Sequence, residues 1–378
     1  MSGWGYQKII ITAGVVLAFA ACSRSNVTPE FTSEQKQKIE LLVDQTMKEN
    51  GIPGAIVGIW VPGKGEFLLT KGLAEIKKGR EMKLGDKVRI GSCTKSFTVT
   101  VLLQLVDKGM VSLDDTLDKY DVGSAIPNSK NITVRQCCDM TSGLFSYTAD
   151  KKYQESINAD PMRKRMPSEL PGFAVSNDPY FPPGTGFEYS NTNTVIIGLI
   201  IEQMTGNKIE DGIKGRIIEQ LGLDNTTFPA TPEITGEHSH GYIFDEEQDK
   251  LLDATNIFDL SWAWAAGAMI SNLYDLRIWA KALGTGVLIS ESSQKERLKF
   301  VEGTIEDLKI RYGLGIFAID GFIGHGGELP GYSVAPFYNP DKDATIVVLL
   351  NKQPNKEHLP CIKLVQNISK IVVPEEPL

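Results

Sequence analysis

The chain has 378 residues, of which 42% are hydrophobic and 23% charged, and its formal net charge at pH 7 is −8. This length can bury a large core, while the acidic balance gives no indication of nucleic-acid binding, so no nucleic-acid partner is predicted. No G-x-G-x-x-G follows a predicted strand and no P-loop is present, so we predict no nucleotide cofactor.

The N-terminus is predicted to be a targeting segment. Lys8 precedes an apolar run that ends in small residues directly before Cys22. The run is too short for a membrane-spanning helix and has the ending of a signal peptide. We therefore predict a lipoprotein-type signal peptide at residues 1–22 with a lipid anchor at Cys22, and plain secretion is the alternative. Either way the chain is exported, as a membrane-anchored lipoprotein or a periplasmic or extracellular protein. The remaining cysteines are too few to predict a disulfide framework.

Strand patterns flank a helix-rich middle. Residues 23–33 are predicted to be a linker, 34–50 an amphipathic helix, and 55–61 and 66–70 a β-hairpin. Helical periodicity then marks 98–108, 134–140, 194–204 and 209–221. Four β runs at 312–319, 321–325, 332–338 and 344–350 precede a closing helix at 362–371.

This order predicts one α+β domain over residues 34–372. Strands at both ends and helices between them indicate an antiparallel sheet flanked by helices, with a helical insertion. The α/β part would comprise about 34–91 and 266–372, and the helical lobe about 92–265.

Ser92 and Lys95 form the first candidate site. They lie one turn apart at the start of an apolar helix, on the same face. A serine hydroxyl becomes a nucleophile when a base takes its proton, and a lysine can be that base when burial lowers its pKa. The same S-x-x-K spacing recurs at Ser33 and Ser292, but in charged, solvated runs. The alternative is that Ser92 only caps the helix.

Tyr189 and Asn191 form the second candidate site, after a loop fixed by prolines and glycines. In extended backbone both side chains would point the same way. A phenol can move a proton and an amide can hold a substrate carbonyl. The alternative is a half-buried tyrosine beside a helix-capping asparagine.

The third candidate is the glycine-rich stretch around His325. Its glycines would let a substrate backbone lie close to a strand edge, and His325 could supply a proton or a hydrogen bond. The alternative is a β-turn with an incidental histidine. His238 and His240 could ligate zinc, but two histidines in a polar loop are more often solvated, so no metal is predicted.

Taken together, the three stretches resemble the penicillin-recognising serine hydrolases. The resemblance is strongest to secreted D-alanyl-D-alanine carboxypeptidases and class C β-lactamase-like proteins. Their motifs S-x-x-K, Y-x-N and [KH]-x-G correspond here to Ser92/Lys95, Tyr189/Asn191 and His325/Gly327. The resemblance implies the β-lactamase/DD-peptidase-like fold, an α/β sandwich with an all-α lobe.

The resemblance also implies roles for these residues. Ser92 would form an acyl-enzyme while Lys95 and Tyr189 move its proton. His325 would stand where many relatives carry lysine, and Asn191 would position the acyl amide. The backbone N–H groups of Ser92 and Glu328 would bind the oxyanion. The other substrate contacts would come from Gly326, Gly327 and Trp262, with no metal or cofactor.

The implied function is a D-alanyl-D-alanine carboxypeptidase acting on peptidoglycan stem peptides. The alternatives are an esterase, a D-amino-acid peptidase or a β-lactamase, so the partner is a peptide, β-lactam or ester substrate. A non-catalytic penicillin-binding-like sensor is the alternative of a different class.

One departure from the family pattern bears on the choice between these functions. The usual hydroxyl residue is replaced by Gly326, the strand predicted at 312–319 has no cation, and Glu328 adds an anion. Only a remote cation such as Arg311 would then bind a substrate carboxylate.

Overall fold

The computed structural model describes residues 30–353 and 359–374, so the predicted signal peptide and Cys22 lie outside the described residues. The strands are β1 Gly54–Val61, β2 Gly65–Glu75, β3 Arg80–Glu81, β4 Val88–Arg89, β5 Tyr242–Asp245, β6 Lys250–Asp253, β7 Ile270–Ser271, β8 Val301–Ile305, β9 Leu308–Tyr312, β10 Phe317–Ile319, β11 Phe322–Gly324, β12 Gly327–Leu329, β13 Tyr332–Asn339 and β14 Ala344–Leu350. The helices are α1 Ser33–Asn50, α2 Thr94–Asp107, α3 Val134–Cys138, α4 Lys151–Ala159, α5 Leu170–Ala174, α6 Asn191–Thr205, α7 Ile209–Ile213, α8 Glu219–Leu221, α9 Leu273–Thr285, α10 Glu291–Arg297 and α11 Pro360–Val372.

One antiparallel sheet organises the molecule, in the order β3-β2-β1-β14-β13-β11-β10-β9-β8, with β12 beside β13. The first long strand pairs with the last, so that Ile59 lies opposite Ile346. The ends of the chain therefore build the sheet and the middle supplies most helices, which confirms the predicted fold class.

Both faces of the sheet are covered. In β1, Ile56 and Trp60 belong to one hydrophobic cluster, while Val57 and Ile59 belong to the other. Alternate side chains of a strand point to opposite faces, so a strand covered on both sides is apolar throughout. Helices α1 and α11 pack together on the second cluster, and α9 with the helical region covers the first.

Some elements differ from the sequence prediction. The run predicted as one strand at 312–319 is two strands, β9 and β10, because the chain turns between them. Gly315 has φ +68°, and a Cβ on Gly313 would lie 2.2 Å from the carbonyl oxygen of Arg297. The predicted helical lobe also contains the β5–β6 hairpin. The helix predicted at 209–221 is continuous but has a π-helical turn at Lys214–Ile218 between α7 and α8.

The cysteines within the described ranges, Cys93, Cys137, Cys138 and Cys361, are buried free thiols. In this same part of the chain, no helix has the length and apolar character needed to cross a membrane. The division into domain and lobes stays a prediction.

Candidate active site

Ser92 sits in a tight turn that joins β4 to α2. The turn, Gly91–Cys93, is a 3₁₀ segment that leads directly into α2. Gly91 has φ +52°, and a Cβ there would lie 2.7 Å from the backbone nitrogen of Glu328, so only glycine fits. The residue that caps α2 is Cys93, and the Ser92 hydroxyl instead lies within hydrogen-bond distance of Lys95 Nζ. The capping alternative for Ser92 is therefore wrong.

Lys95 is fully buried and binds three oxygen atoms. Its Nζ lies 2.9 Å from Ser92 Oγ, 2.7 Å from Asn191 Oδ1 and 2.7 Å from the carbonyl oxygen of Ala266. Burial lowers the pKa of Lys95 from 10.5 to about 7. In the neutral amine two hydrogens can go to the amide and carbonyl oxygens, since neither atom donates. The lone pair is then directed at the Ser92 hydroxyl, as a general base requires.

The carbonyl of Ala266 was not identified from the sequence. It belongs to a loop in which Trp264 has φ +34°, a conformation that side-chain-bearing residues rarely adopt. The Trp264 side chain is buried and its Nε1 donates to Glu210 Oε1 over 3.3 Å. The loop is tied to α2 through Thr98 Oγ1, which donates to the carbonyl oxygen of Ala265. This strained backbone directs a carbonyl at Lys95, as strain near functional groups often does.

Asn191 is held between Lys95 and a short polar segment. Its Oδ1 accepts from Lys95, its Nδ2 donates to Thr148 Oγ1 over 3.1 Å, and its backbone N–H donates to Ser146 Oγ. Asn191 is the first residue of α6, whose N-cap is Ser190. The helix-capping alternative for Asn191 is therefore wrong as well.

Tyr189 is the third side chain beside the nucleophile. Lys95 Nζ lies 5.0 Å from the centre of its ring. Within the described ranges, its buried hydroxyl has no partner that meets hydrogen-bond geometry. The nearby Ser92 hydroxyl acts to lower the pKa of Tyr189, because it stabilises the ionised phenol. Burial nevertheless raises the pKa of Tyr189 well above its ordinary value. At neutral pH the phenol is therefore protonated and can hand a proton on.

His325 is buried, and both of its ring nitrogens contact protein atoms. Nδ1 faces the carbonyl oxygen of Gly326, which can only accept, so Nδ1 carries the hydrogen in this assignment. Nε2 lies 3.0 Å from the hydroxyl of Tyr312, which then donates. Burial, with Lys95 nearby, lowers the pKa of His325 to about 3. The imidazole is neutral and has no free N–H for a substrate.

The two glycines after His325 are packed differently. A Cβ on Gly327 would lie 1.9 Å from the carbonyl oxygen of Ile90, at the base of the serine turn. A Cβ on Gly326 would meet Ile362 Cδ1 at 2.6 Å, which is a flexible side-chain end. Gly327 therefore brings β12 against the nucleophile turn, and Gly326 makes room for α11.

These elements border a cleft of about 300 Å³. It is lined by Ser92, Glu188, Tyr189, Thr304, Ile305, Glu306, Phe317, His325, Gly326, Gly327, Glu328, Ser333, Val334, Leu359, Cys361 and Ile362. The β8–β9 hairpin and the start of α11 thus contribute walls that no sequence motif predicted. Within the described part of the chain, the lining includes three glutamates and no lysine or arginine.

Two residues that the sequence suggested for substrate binding, Trp262 and Arg311, do not line the cleft. Trp262 is absent from the lining of this cleft, and it packs both against the main core and against a small cluster that contains Leu260, Ala263 and Leu329. Arg311 is exposed, since on β9 the neighbouring residues Ile310 and Tyr312 face inward, and its guanidinium lies over the Phe300 ring at 5.2 Å.

The pair His238 and His240 shows no ligand cluster. Their rings stack at 5.5 Å, and His240 Nδ1 lies 2.6 Å from Asp253 Oδ2. Across residues 30–353 and 359–374, no group of three or more potential ligands is arranged to hold a metal ion.

Comparison with known proteins identifies the family. The family model described as Beta-lactamase matches residues 39–369. Protein flp of Staphylococcus aureus strain MW2 is 27% identical over 363 residues, covering 90% of this chain and 67% of that protein. Penicillin-binding protein 4* of Bacillus subtilis strain 168 is 26% identical over 306 residues, covering 76% of this chain and 65% of that protein. The chain thus spans about two thirds of the length of these relatives.

Solved structures agree with this comparison. The D-stereospecific amidohydrolase of Streptomyces sp. has 29% identity and a TM-score of 0.79, covering 92% of this chain and 100% of that one. The D-amino acid amidase of Ochrobactrum anthropi SV3 has 24% identity and a TM-score of 0.80, covering 90% and 99%. At 29% identity the amidohydrolase supports a family relationship, whereas at 24% identity the amidase supports a shared fold alone. With the Ser92–Lys95 geometry and the match over most of the chain, the protein belongs to the beta-lactamase family of serine hydrolases, together with penicillin-binding proteins.

Proposed function

We propose that this enzyme hydrolyses the amide bond of small amino-acid amides or short peptides through an acyl-enzyme on Ser92. The observation that carries the proposal is the 2.9 Å contact between Ser92 Oγ and a Lys95 amine whose pKa lies near 7. Lys95 takes the serine proton as the hydroxyl attacks the substrate carbonyl. Tyr189 passes a proton to the leaving amine, and water then hydrolyses the ester.

The remaining residues hold the reacting groups. Backbone N–H groups of Ser92 and Glu328 would stabilise the oxyanion, since β12 lies against the serine turn at Gly91. Asn191 orients Lys95, and in this proposal its amide also contacts the acyl part of the substrate. His325, neutral and bonded on both sides, acts by positioning β12 and Tyr312.

The charge of the cleft supports an amide substrate over a peptide with a terminal carboxylate. A carboxypeptidase must bind the terminal carboxylate of its substrate, and among the described lining residues there is no cation to do so. The exposed carboxylate of Glu188 in the lining would repel it. Amides without that carboxylate avoid this repulsion, and the similarity to a D-stereospecific amidohydrolase supports the same class. The D-Ala-D-Ala carboxypeptidase remains the second candidate, because its resemblance extends over all three motifs.

The test compares three substrates on wild type and Ser92→Ala. These are D-phenylalanine p-nitroanilide, diacetyl-Lys-D-Ala-D-Ala and a chromogenic cephalosporin. We expect the anilide to be preferred, and its turnover to fall at least about 10³-fold in the variant. Ser292→Ala is the matched control, because it removes an exposed serine with the same S-x-x-K spacing. Preferred release of D-alanine would instead establish the carboxypeptidase.

A further inference from the structure

We propose that the Glu328 side chain binds the α-ammonium group of the substrate, so that the enzyme prefers amides of amino acids whose amine is free. This inference rests on the proposed amide hydrolysis and names its substrate class. Glu328 then has two roles: its backbone N–H binds the oxyanion, and its side-chain carboxyl binds the ammonium.

The position of Glu328 fits that role. Its backbone nitrogen and oxygen lie close to Gly91, because a Cβ on that glycine would meet them at 2.7 and 2.8 Å. The residue is therefore beside Ser92, and both line the cleft. In an amino-acid amide the α-nitrogen is two bonds from the attacked carbonyl carbon. A group that recognises this nitrogen must lie next to the oxyanion site, where Glu328 is.

Within the described ranges, the Glu328 carboxyl forms no ion pair with a lysine or arginine. Its Oε1 accepts a long hydrogen bond from Ser333 Oγ, 3.4 Å away. Burial, followed by the charge of Glu306, raises the pKa of Glu328 to about 8. A half-buried carboxyl that accepts only one long hydrogen bond is costly to ionise, and an incoming ammonium would supply the opposite charge. Glu188 adds a second carboxyl to the cleft, and burial raises its pKa too.

The rest of the lining suits the side chain of such a substrate. Apolar groups surround the carboxyls: Ile305, Phe317, Val334, Leu359 and Ile362. An ammonium beside an apolar side chain matches an apolar amino acid bound through its amine. The predicted class is therefore the amide or anilide of an apolar amino acid with an unblocked α-amine.

The experiment uses a pair of substrates that differ in one charge: D-phenylalanine p-nitroanilide and its N-acetyl derivative. Wild type should prefer the free amine. Glu328→Gln should raise KM for the free amine about 10- to 100-fold, the range expected for losing one charged hydrogen bond. The diagnostic quantity is the ratio of kcat/KM for the free amine to kcat/KM for the N-acetyl substrate, which should fall by the same factor in Glu328→Gln. Glu302→Gln is the control, because Glu302 is an exposed glutamate on β8 that does not line the cleft.

The outcomes separate the two proposals. If wild type hydrolyses neither substrate in a Ser92-dependent way, the proposed function fails and the inference with it. If both are hydrolysed and Glu328→Gln leaves their ratio of kcat/KM unchanged, only the inference fails. A fall in kcat that is equal for both substrates would assign Glu328 to the chemical steps and also overturn it.

Discussion

The proton affinity of Lys95 makes a quantitative prediction for the pH dependence of catalysis. With a pKa of about 7, roughly half of the amine is neutral at pH 7 and about 1% at pH 5. A lysine with the ordinary value of 10.5 would be neutral in only about 0.03% of molecules at pH 7. Burial therefore makes the base about a thousandfold more available. Because only the neutral form accepts the serine proton, activity should be present above pH 7 and lost as pH falls.

The assay is kcat/KM for a short-chain p-nitrophenyl ester between pH 5 and 8. An uncharged substrate avoids any dependence on ammonium recognition. We expect a tenfold fall per pH unit below the inflection, or about 50-fold in total between pH 7 and 5. His325, with a pKa near 3, and Tyr189, with a pKa well above 10, do not titrate in this range. Glu328 does, so the profile is repeated in Glu328→Gln.

Two variants test the assignment to Lys95. Lys95→Ala should abolish most acylation, and Lys95→Arg should not restore it, because a guanidinium stays protonated. Lys295→Ala, which has the same S-x-x-K spacing in a surface helix, should behave as wild type. A rate that does not change between pH 5 and 7, or an inflection that survives in Lys95→Ala, would refute the reasoning.

Two further predictions concern the frame of the site. Gly327→Ala forces a Cβ to within 1.9 Å of the Ile90 carbonyl oxygen, which should displace the serine turn and lower kcat/KM about 100-fold or more. In Gly326→Ala the new Cβ meets only the movable end of the Ile362 side chain, so the loss in kcat/KM should be far smaller. Equal losses in the two variants would argue against this account. Asp86 is fully buried and accepts from Arg80 at 3.0 Å, so Asp86→Ala should lower the free energy of unfolding in urea by about 2 kcal/mol. Asp44→Ala, which removes an exposed ion pair with Lys71, should change it by less than about 1 kcal/mol, and a similar loss in both variants would contradict the prediction.

The sequence predicted those parts of the site that depend on local spacing. Ser92 with Lys95, and Tyr189 with Asn191, are short intervals whose side chains the backbone brings near each other. The Ala266 carbonyl could not be found this way, because every residue has a carbonyl and only the conformation of Trp264 directs this one at Lys95.

Other errors came from contacts between distant residues. The sequence predicts Trp262 as a wall of the cleft, but this residue packs against the main core and against a small apolar cluster with Leu329. The run at 312–319 has the composition of one strand, yet Gly313 must approach the Arg297 carbonyl and the chain turns there. Gly326 was noted as a departure from the family pattern, and its packing against Ile362 supplies the physical reason.

The pairing of β1 with β14 has a consequence for how the protein is made. Ile59 is synthesised long before Ile346, its partner, so the β1 edge of the first hairpin has no neighbour while the chain grows. Contacts between such distant residues slow folding, since a long loop must close first. The same late segment carries the α11 wall of the cleft at Leu359 and Ile362. Hydrolytic activity should therefore appear only after β14 and α11 have been synthesised, because without them the sheet lacks its central strand and Ser92 lacks part of its cleft.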